Sequence, residues 1–355
     1  MSQAKGEVKA ANMPPEEKKL AGPNQKPKRI LSGMRPTGKL HLGHLSVLEN
    51  WVALQKDYDC YFFVADWHAL TTAFEETETL SENIRDMVID WLSVGIDPEK
   101  STVFIQSAVK EHAELCLLLS MLTPLSWLER CPTYKDQVQQ LGEQGKDIST
   151  HGFLGYPVLM ASDILIYKSD LVPVGQDQLP HLEMCREIAR RFNFLYQVKL
   201  FPEPQAYLAE VALLPGIDGR KMSKSYNNDI AISAPPEEVN RKVNMMVTDP
   251  ARIHKHDPGH PEICTVYVFQ KVFSPQEVEQ IAEDCRGGKI GCVACKKKLA
   301  AALNACLDPF REKRRELEEC PQKLQAILNE GAERARQEAS KTMREVRAAM
   351  RLDYS

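Results

Sequence analysis

The sequence predicts an α/β protein in which a buried parallel sheet is followed by a helical region. Four short apolar runs indicate strands, and they are continuous rather than alternating, as in a parallel sheet covered on both faces. They lie at residues 29–32, 60–65, 102–105 and 171–174. Helical patterns separate these runs, at residues 80–94 and 113–122 among others. This alternation of strand and helix predicts an α/β fold.

Beyond about residue 235 the strand patterns stop and helical patterns continue, at residues 237–246, 275–284, 297–307 and 322–350. The last of these places apolar side chains on one face at steps of three or four, at Ala332, Ala335, Ala339, Met343, Val346 and Met350. Glycine, proline and serine cluster near residues 215–235. We therefore expect the two regions to join there.

Composition excludes a membrane protein and a disordered chain. The 355 residues are 43% hydrophobic, which is enough to build a core. The longest unbroken apolar run covers only residues 60–65, whereas a membrane-spanning helix needs about 20 residues. Residues 1–27 contain four prolines and lack the apolar stretch of a signal peptide, so we expect a solvated tail. The ten cysteines are then expected in a reducing cytoplasm.

Charge is distributed unevenly along the chain, although 45 Lys and Arg nearly balance 49 Asp and Glu. No overall basic field indicates DNA as a partner. Residues 296–355 hold 14 Lys and Arg against 10 Asp and Glu, a net charge of +4, and the remainder has a net charge of −8. A basic carboxyl-terminal fifth favours polyanion binding at that end, and it equally fits a well-solvated helical surface.

The first predicted strand runs into a glycine-bearing turn and then a helix, with the sequence GMRPTGKLHLGH at residues 33–44. A helix N-terminus that follows such a turn attracts anions, because its backbone N–H groups and dipole point at the ligand. His41 and His44 flank Gly43, which lets a flat base or a phosphate approach the backbone closely. The segment therefore indicates a nucleotide site.

A second string, KMSKS at residues 221–225, lies in a polar loop with glycine and proline just upstream. Two lysines three residues apart on such a loop can hold a triphosphate and neutralise charge that develops on leaving pyrophosphate. For either string alone, a solvated basic loop is the favoured explanation. Their occurrence together, 180 residues apart and in this order, favours a nucleotide-activating enzyme.

The two strings resemble the HIGH and KMSKS signatures of class I aminoacyl-tRNA synthetases, with one Ile-to-Leu change at Leu42. Within that class the chain resembles the bacterial tryptophanyl-tRNA synthetases, through residues 33–38, 156–163, 172–178 and 339–350. The resemblance implies a Rossmann-like catalytic domain at residues 28–222 and an all-helical anticodon-binding domain at residues 223–355. It also implies ATP with Mg²⁺, L-tryptophan and tRNA(Trp) as partners, and a homodimer.

The resemblance also implies which residues contact ATP: Arg35, Pro36, Thr37, Gly43, His44, Gly175, Gln176, Asp177, Leu213, Lys221, Met222, Ser223, Lys224 and Ser225. Catalysis would depend on His41, His44, Lys221 and Lys224, through positioning and charge stabilisation. Gly175, Gln176 and Asp177 would hold the ribose. Arg35 replaces the Gln that many family members have at this position, so its detailed role stays open.

The tryptophan pocket implied by the resemblance comprises Gly33, Tyr156, Met160, Asp163, Val172, Val174 and Gln178. Tyr156, Met160 and Asp163 fall on one face of a helix. Indole presents a single N–H donor on a large apolar body, so one carboxylate among Met and Val side chains matches it. In the family Asp163 would accept the indole N–H, while Tyr156 and Gln178 would reach the amino group.

The nearest alternative is a tyrosyl-tRNA synthetase, which shares the fold, both signatures and an Asp at a similar position. Those enzymes usually place a tyrosine two residues before the first glycine of the turn, to hold the phenol of the substrate. This chain has Leu31 there, and an aliphatic side chain suits the face of an indole better. A second alternative, from another class, is a non-catalytic redox or RNA-binding regulator on the same fold, but the complete catalytic strings count against it.

Four cysteines in the helical region form a constellation, at Cys264, Cys285, Cys292 and Cys295. Four thiolates suit tetrahedral zinc or a four-iron cluster, and a third interpretation is that the four thiols bind no metal. A subset of tryptophanyl-tRNA synthetases that this chain resembles carries a [4Fe–4S] cluster in the carboxyl-terminal domain, with the same final spacings. The resemblance thus favours a [4Fe–4S] cluster over Zn²⁺, with a structural or tRNA-recognition role.

Overall fold

A computed structural model describes residues 27–143, 147–208, 214–254 and 256–353. Its centre is a five-stranded parallel sheet in the order β3-β2-β1-β4-β5. The strands are β1 (Arg29–Met34), β2 (Asp59–Val64), β3 (Ser101–Ile105), β4 (Leu171–Pro173) and β5 (Gln205–Tyr207). The predicted α/β fold class is confirmed. The predicted tail at residues 1–27 lies almost wholly outside the described residues.

The four predicted strands are all present, and each is displaced by no more than two residues at either end. Their side chains are buried because helices cover both faces of the sheet; Ile30, Phe62 and Val103, for example, are fully buried. The sequence prediction missed β5, which pairs with β4 at the edge of the sheet. That strand has only three residues, none of them buried, so no apolar run marks it.

The helices in the first half of the chain are α1 (Leu42–Leu54), α2 (Asp66–Ala73), α3 (Leu80–Val94), α4 (Glu111–Ser120), α5 (Leu125–Glu129), α6 (Pro132–Gly142), α7 (His151–Leu154), α8 (Tyr156–Ile166) and α9 (Leu179–Leu195). The second half contains α10 (Pro236–Met245), α11 (Thr265–Phe273), α12 (Val278–Arg286), α13 (Cys292–Glu318) and α14 (Pro321–Ala349). None of the described helices combines the length and apolarity that a membrane span requires.

The position of β1 in the sheet determines where a ligand can bind. The chain proceeds from β1 to β2 on one side, and later returns to place β4 on the other side. The connections that follow β1 and β4 therefore leave the sheet in opposite directions and open a crevice at its carboxyl edge. The turn that contains Arg35 follows β1, and the turn that contains Gly175 follows β4.

The last helix packs directly on the sheet. In α14, Gly331 lies so close to β3 that a Cβ atom there would be 1.8 Å from the carbonyl oxygen of Val103. Five of the six residues predicted to share one face, all except Met350, are buried. The carboxyl-terminal region thus contributes to the hydrophobic core on the β3 side. The proposed domain boundary between residues 222 and 223 remains a prediction.

A buried ion-pair group joins α13 to α3. Arg314 donates from Nη1 to Asp90 Oδ1 at 2.5 Å and from Nη2 to Asp86 Oδ1 at 2.7 Å. Asp90 is 1% exposed and Arg314 is 8% exposed. Burial raises the pKa of Asp90 to about 6, although the Arg314 guanidinium opposes that rise. The carboxylate is therefore costly to bury without its partner.

Replacing Arg314 with Met should lower the free energy of unfolding by about 3 kcal/mol at neutral pH, because the charge of Asp90 loses its partner. Arg315 is the adjacent exposed residue, and Arg315→Met should change stability by less than about 0.5 kcal/mol. Denaturant titrations followed by circular dichroism measure both variants.

The pH dependence of that loss has a definite sign. A carboxyl whose folded-state pKa is raised stabilises the fold below its unfolded-state pKa, and this contribution disappears as the pH rises through about 6 for Asp90. The difference between Arg314→Met and the parent should therefore widen from about pH 5 to about pH 8. An equal difference at both pH values would contradict the role assigned to this pair.

Candidate active site

The HLGH string forms the amino-terminal cap of α1. Nδ1 of His41 accepts the backbone N–H of Gly43 at 3.1 Å, and Nδ1 of His44 accepts the backbone N–H of His41 at 3.2 Å. These reciprocal bonds form a capping box. Because both Nδ1 atoms accept, each neutral ring carries its proton on Nε2. The cap thus fixes the tautomer of both rings and leaves an Nε2–H donor on each for a ligand.

Burial keeps these two imidazoles uncharged. It lowers the pKa of His44 to about 3, with further lowering by His41 and Lys224. Burial also lowers the pKa of His41, and Asp229 only partly opposes it. Both rings are therefore neutral hydrogen-bond donors at physiological pH. Positive charge at this end of the site comes from lysine and arginine instead.

A buried asparagine, Asn228, shapes the KMSKS loop. Its Oδ1 accepts the backbone N–H of Ser223 at 2.7 Å, and its Nδ2 donates to the carbonyl oxygen of Lys221 at 3.0 Å and to Asp218 at 2.8 Å. A Cβ atom at Gly216 would lie 2.2 Å from this amide, so only glycine fits there. The sequence analysis missed Asn228, because a single asparagine just after the motif carries no pattern.

The KMSKS loop contacts the turn that follows β1. Lys224 Nζ donates to the carbonyl oxygen of Thr37 at 3.1 Å. Gly38, beside Thr37, has a φ of +107°, a conformation that favours glycine. The Met222 sulfur lies 3.7 Å from the position that a Cβ of Gly43 would occupy. The fold therefore brings the two signature strings into contact, as their predicted joint role requires.

Arg35 lies in the same turn, and its guanidinium is mostly buried. Nη2 donates to the hydroxyl of Thr72, and Nε is buried without a hydrogen-bond partner in the described part of the chain. Burial lowers the pKa of Arg35, and the nearby Tyr156 opposes that change. A buried cation with an unused donor is typical of a site that takes an anion.

A cavity of about 400 Å³ opens at the carboxyl ends of β1 and β4. This volume is in the range of small-molecule sites. All seven residues expected to bind tryptophan line it: Gly33, Tyr156, Met160, Asp163, Val172, Val174 and Gln178. Arg35 and Gly175, expected at ATP, also line it, as does Leu31. Their individual roles remain predictions, but the fold places them around one space.

Asp163 is the buried charge of this cavity and is 1% exposed. Its Oδ1 lies 2.6 Å from His112 Nδ1, and its Oδ2 lies 2.8 Å from His68 Nε2. Gln106 Nε2 donates to both oxygens, at 2.8 and 2.9 Å. Burial alone would raise the pKa of Asp163, but the hydrogen bonds from His112 and His68 hold it below its ordinary value. The carboxylate is therefore ionised near neutral pH.

A second polar group of the cavity centres on Tyr156. Its hydroxyl lies 2.8 Å from His181 Nε2, and the ring stacks on Phe153 with centroids 5.3 Å apart. His181 Nδ1 in turn lies 3.5 Å from the Cys131 sulfur. Burial lowers the pKa of His181, so this ring is neutral and can fix the direction of the phenol hydroxyl.

The sequence analysis missed His68, His112, Gln106 and His181. Each is a single polar residue in a helix or a short turn, far in sequence from the motifs that it supports. Only the tertiary fold brings them to Asp163 and Tyr156.

The HLGH and KMSKS strings, with Pro36 and Thr37, do not line this cavity, and three other residues expected at ATP lie beside it or cannot be placed. Gln176 and Asp177 lie in an exposed turn beside it, where Asp177 accepts a hydrogen bond from the Gln178 amide at 2.6 Å. Leu213 lies outside the described residues. The contacts expected of these residues remain predictions.

The four cysteines of the predicted constellation lie at the ends of three helices. Cys264 precedes α11, Cys285 is near the end of α12, and Cys292 and Cys295 lie in the first turn of α13. Burial raises the pKa of Cys285, and the nearby thiols of Cys264 and Cys292 raise it further. Within the described ranges, no group of three or more His, Cys, Asp or Glu side chains is spaced to hold a metal ion.

The backbone around these thiols is closely packed. The φ of Gly288 is +64°, and a Cβ there would lie 2.3 Å from the carbonyl oxygen of His256. A Cβ at Gly259 would lie 2.6 Å from the Cys285 sulfur. Arg252 Nη1 approaches the same sulfur at 3.5 Å, so a cation faces the thiol group. This donor set and its cationic neighbour suit an anionic thiolate-bound group.

Comparison with known proteins identifies the family to which this chain belongs. A family model described as tRNA synthetases class I (W and Y) matches residues 23–308. This chain belongs to the class I tRNA synthetases for tryptophan and tyrosine. The predicted family is therefore confirmed, and the HLGH and KMSKS strings both lie within the matched segment.

Individual relatives of this class I synthetase are tryptophan enzymes. The chain is 53% identical to a tryptophan–tRNA ligase of Thermotoga maritima, over 92% of this chain and 100% of that protein. It is 48% identical to a tryptophan–tRNA ligase of Aquifex aeolicus, over 91% of this chain and 100% of that protein. A solved tryptophanyl-tRNA synthetase of Campylobacter jejuni, complexed with ADP and tryptophan, is 36% identical with a TM-score of 0.83; the match covers 91% of this chain and 99% of that one.

The tautomer of His41 yields a test with two matched variants. A Gln side chain at this position can carry its N–H₂ near the Nε2 position, whereas an Asn oxygen can replace the Nδ1 acceptor that caps α1. We expect the kcat for ATP-dependent activation to be about 10-fold higher in His41→Gln than in His41→Asn, because the Nε2–H donor is the group that a ligand meets.

We expect the reverse order for stability, with His41→Asn the more stable variant by about 0.5–1 kcal/mol, because it keeps the cap. Pyrophosphate exchange and thermal unfolding measure the two properties separately. A higher kcat for His41→Asn would show that the cap, and not the Nε2–H group, accounts for the role of His41.

Proposed function

We propose that the cavity at the carboxyl ends of β1 and β4 binds L-tryptophan, and that the turn after β1, the HLGH cap and the KMSKS loop bind ATP with Mg²⁺. The activity is that of a tryptophan–tRNA ligase. Tryptophan carboxylate attacks the α-phosphorus of ATP to give tryptophanyl-adenylate and pyrophosphate, and the tryptophanyl group then passes to the terminal ribose of tRNA(Trp).

The observation that carries the assignment of the amino acid site is the ionised Asp163 in a largely apolar cavity. One acceptor set among Leu31, Phe63 and Met160 matches the single N–H donor of an indole. The phenol of tyrosine would need a partner at Leu31, which cannot supply one. An amino acid without the N–H would leave the carboxylate without its ligand partner, at a cost of about 1–3 kcal/mol.

Catalysis is then a matter of position and charge. His41 and His44 offer neutral Nε2–H donors at the N-terminus of α1, where ATP phosphate is expected. Lys224 Nζ donates to the carbonyl oxygen of Thr37, and burial lowers the pKa of this lysine. An anion that binds there would compensate the ammonium group for much of the hydration that it loses on burial. We assign Lys221 and Lys224 to the phosphates that become pyrophosphate, and Arg35 to the same charged region.

The cysteine group is proposed to hold a [4Fe–4S] cluster through Cys264, Cys285, Cys292 and Cys295. Burial and the neighbouring cysteines of the group raise the pKa of Cys285 and of Cys295, so the thiols influence one another electrostatically. Arg252 beside Cys285 and the glycine-lined backbone also support the proposal, and iron binding would draw the described thiols into ligand spacing. Bound there, the cluster would replace repulsion among neighbouring thiolates with bonds to iron. Zn²⁺ on the same ligands is the alternative, and metal analysis distinguishes them.

The remaining proposals concern tRNA, assembly and location. The basic surplus of residues 296–355 supports binding of the anticodon arm by the helical region. Exposed apolar side chains on α4, α5 and the end of α9 support a homodimer interface: Leu117, Met121, Leu125 and Phe194. None of the ten cysteines, all of which the structure describes, forms a disulfide, which is typical of a protein of the cytoplasm.

Pyrophosphate exchange into ATP, driven in turn by each of the twenty amino acids, tests the proposed function directly. Tryptophan alone should support rapid exchange. Asp163→Asn, which keeps the shape of the side chain, should raise the KM for tryptophan by the equivalent of about 1–3 kcal/mol. Equal exchange with tyrosine, or an unchanged KM in Asp163→Asn, would remove Asp163 from indole recognition.

Iron analysis tests the cysteine site. Anaerobically purified protein should be brown and contain about four irons and four sulfides per chain. Cys292→Ser should remove the colour and weaken tRNA charging while tryptophan-dependent exchange persists, because none of the four cysteines lies in a signature string. Cys320→Ser, at an exposed thiol outside the group, is the matched control and should keep the iron. Colourless protein with one zinc per chain would reject the cluster.

A further inference from the structure

A chain of buried hydrogen bonds extends behind Asp163, away from the cavity. His112, on α4, is fully buried, and its Nδ1 lies 2.6 Å from Asp163 Oδ1. Its Nε2 lies 2.7 Å from the hydroxyl of Tyr167, the residue that ends α8. Tyr167 is itself fully buried, and its ring packs against Phe104 with centroids 5.7 Å apart. None of these three aromatic side chains lines the cavity.

The directions of these bonds follow from the charge of Asp163. The ionised carboxylate can only accept, so His112 Nδ1 carries the hydrogen and donates it. His112 Nε2 then accepts the proton of the Tyr167 hydroxyl. Burial raises the pKa of Tyr167 well above its ordinary value, so this hydroxyl keeps its proton. The result is one ordered line of donors that ends on Oδ1 of Asp163.

The two sides of the carboxylate are different. His68 meets Oδ2 and lines the cavity, whereas His112 meets Oδ1 from the protein interior. A ligand N–H that enters the cavity must approach from the side of His68. The donors that a ligand cannot displace are thus His112 and Gln106, both fully buried.

We propose that His112, held by Tyr167, is a positioning residue that sets the selectivity of the cavity for a substrate with a ring N–H. It acts through Asp163, which it keeps in one orientation with an oxygen toward the ligand. This inference rests on the proposed role of Asp163 at the indole and deepens it, because it names what prepares that carboxylate.

His112 makes a second contribution, which is to stabilise the negative charge of Asp163. The titratable groups that face Asp163 come from four helices: His68 on α2, His112 and Cys116 on α4, Tyr167 at the end of α8, and Cys185 on α9. Cys116 and Cys185 are neutral, because burial raises the pKa of Cys116 to about 12 and raises that of Cys185 well above its ordinary value. Among these titratable groups the two histidines favour the ionised form of the carboxylate, and the Gln106 amide adds hydrogen bonds to both of its oxygens.

The test uses three variants and two amino acids. His112→Leu removes the donor, and His112→Asn retains an N–H near the Nδ1 position. Tyr167→Phe removes only the hydroxyl and keeps the packed ring. The substrates are L-tryptophan and 3-(benzothiophen-3-yl)-L-alanine, which has sulfur in place of the indole N–H. Pyrophosphate exchange gives kcat and KM for each pair.

We expect His112→Leu to raise the KM for tryptophan by about 10-fold and that for the benzothiophene analogue by less than about 2-fold, with kcat little changed. His112→Asn should recover most of the tryptophan KM. Tyr167→Phe should also raise the KM for tryptophan more than that for the analogue, but by a smaller factor. Because this variant keeps the shape of the side chain, the test stays valid if His112→Leu fails to fold.

The pH profile gives an independent readout. In the parent protein the KM for tryptophan should be flat between about pH 6 and about pH 8, because Asp163 stays ionised. Loss of a donor raises the pKa of Asp163, so in His112→Leu the KM for tryptophan should rise as the pH falls through this range. The analogue, which donates nothing to Asp163, should show no such rise.

Equal increases of KM for both amino acids would overturn the proposal, because they would indicate general damage to the cavity. An unchanged tryptophan KM in both His112→Leu and Tyr167→Phe would overturn it as well. If the parent protein itself fails to distinguish tryptophan from the analogue, the indole role of Asp163 fails instead. The two failures are therefore distinguishable.

Discussion

The arrangement of the whole site depends on one constraint: parallel strands end at the same edge of a sheet. β1 has neighbours on both sides, so its turn and the turn after β4 leave that edge in opposite directions. The crevice between them receives the turn at Arg35, the N-terminus of α1 and the side chains of α8. Hydrophobic burial of the strands holds this geometry, and polar groups such as the His41 cap and Asn228 then shape the segments that carry the chemistry.

Buried charge is used in two different ways in this protein. Asp90 is paired with an arginine from α13, and its role is to join the helical region to α3 beside the segment that precedes the HLGH cap. Among the described residues, Asp163 has no cationic partner of fixed charge; donors from two histidines and one amide surround it instead. A ligand N–H can replace the hydrogen bond from His68, which lines the cavity, whereas the arginine of a full ion pair would be harder to displace.

Local patterns in the sequence predicted the sheet, most helices and the two signature strings, because each depends on neighbouring residues. Helix α3 begins and ends where its pattern predicts, and tryptophan–tRNA ligation, predicted from the resemblance, is confirmed. The sequence could not predict β5, which is short and exposed, nor the partners of Asp163, which come from α2, α4 and the turn after β3. Such contacts arise only from tertiary packing. The residue roles and the cluster remain predictions.

The close approach of Gly331 to Val103 has a consequence for how the chain is made. Synthesis proceeds from the amino terminus, so β3 leaves the ribosome more than two hundred residues before the helix that covers it. During that interval an edge strand rich in apolar side chains lacks its final cover, and such strands are prone to pair with other chains. A chain that terminates between the KMSKS loop and α14 would keep both signature strings and still carry this exposed edge. The last helix therefore covers β3 only when synthesis is finished, which makes completion of the chain a condition for a protected strand.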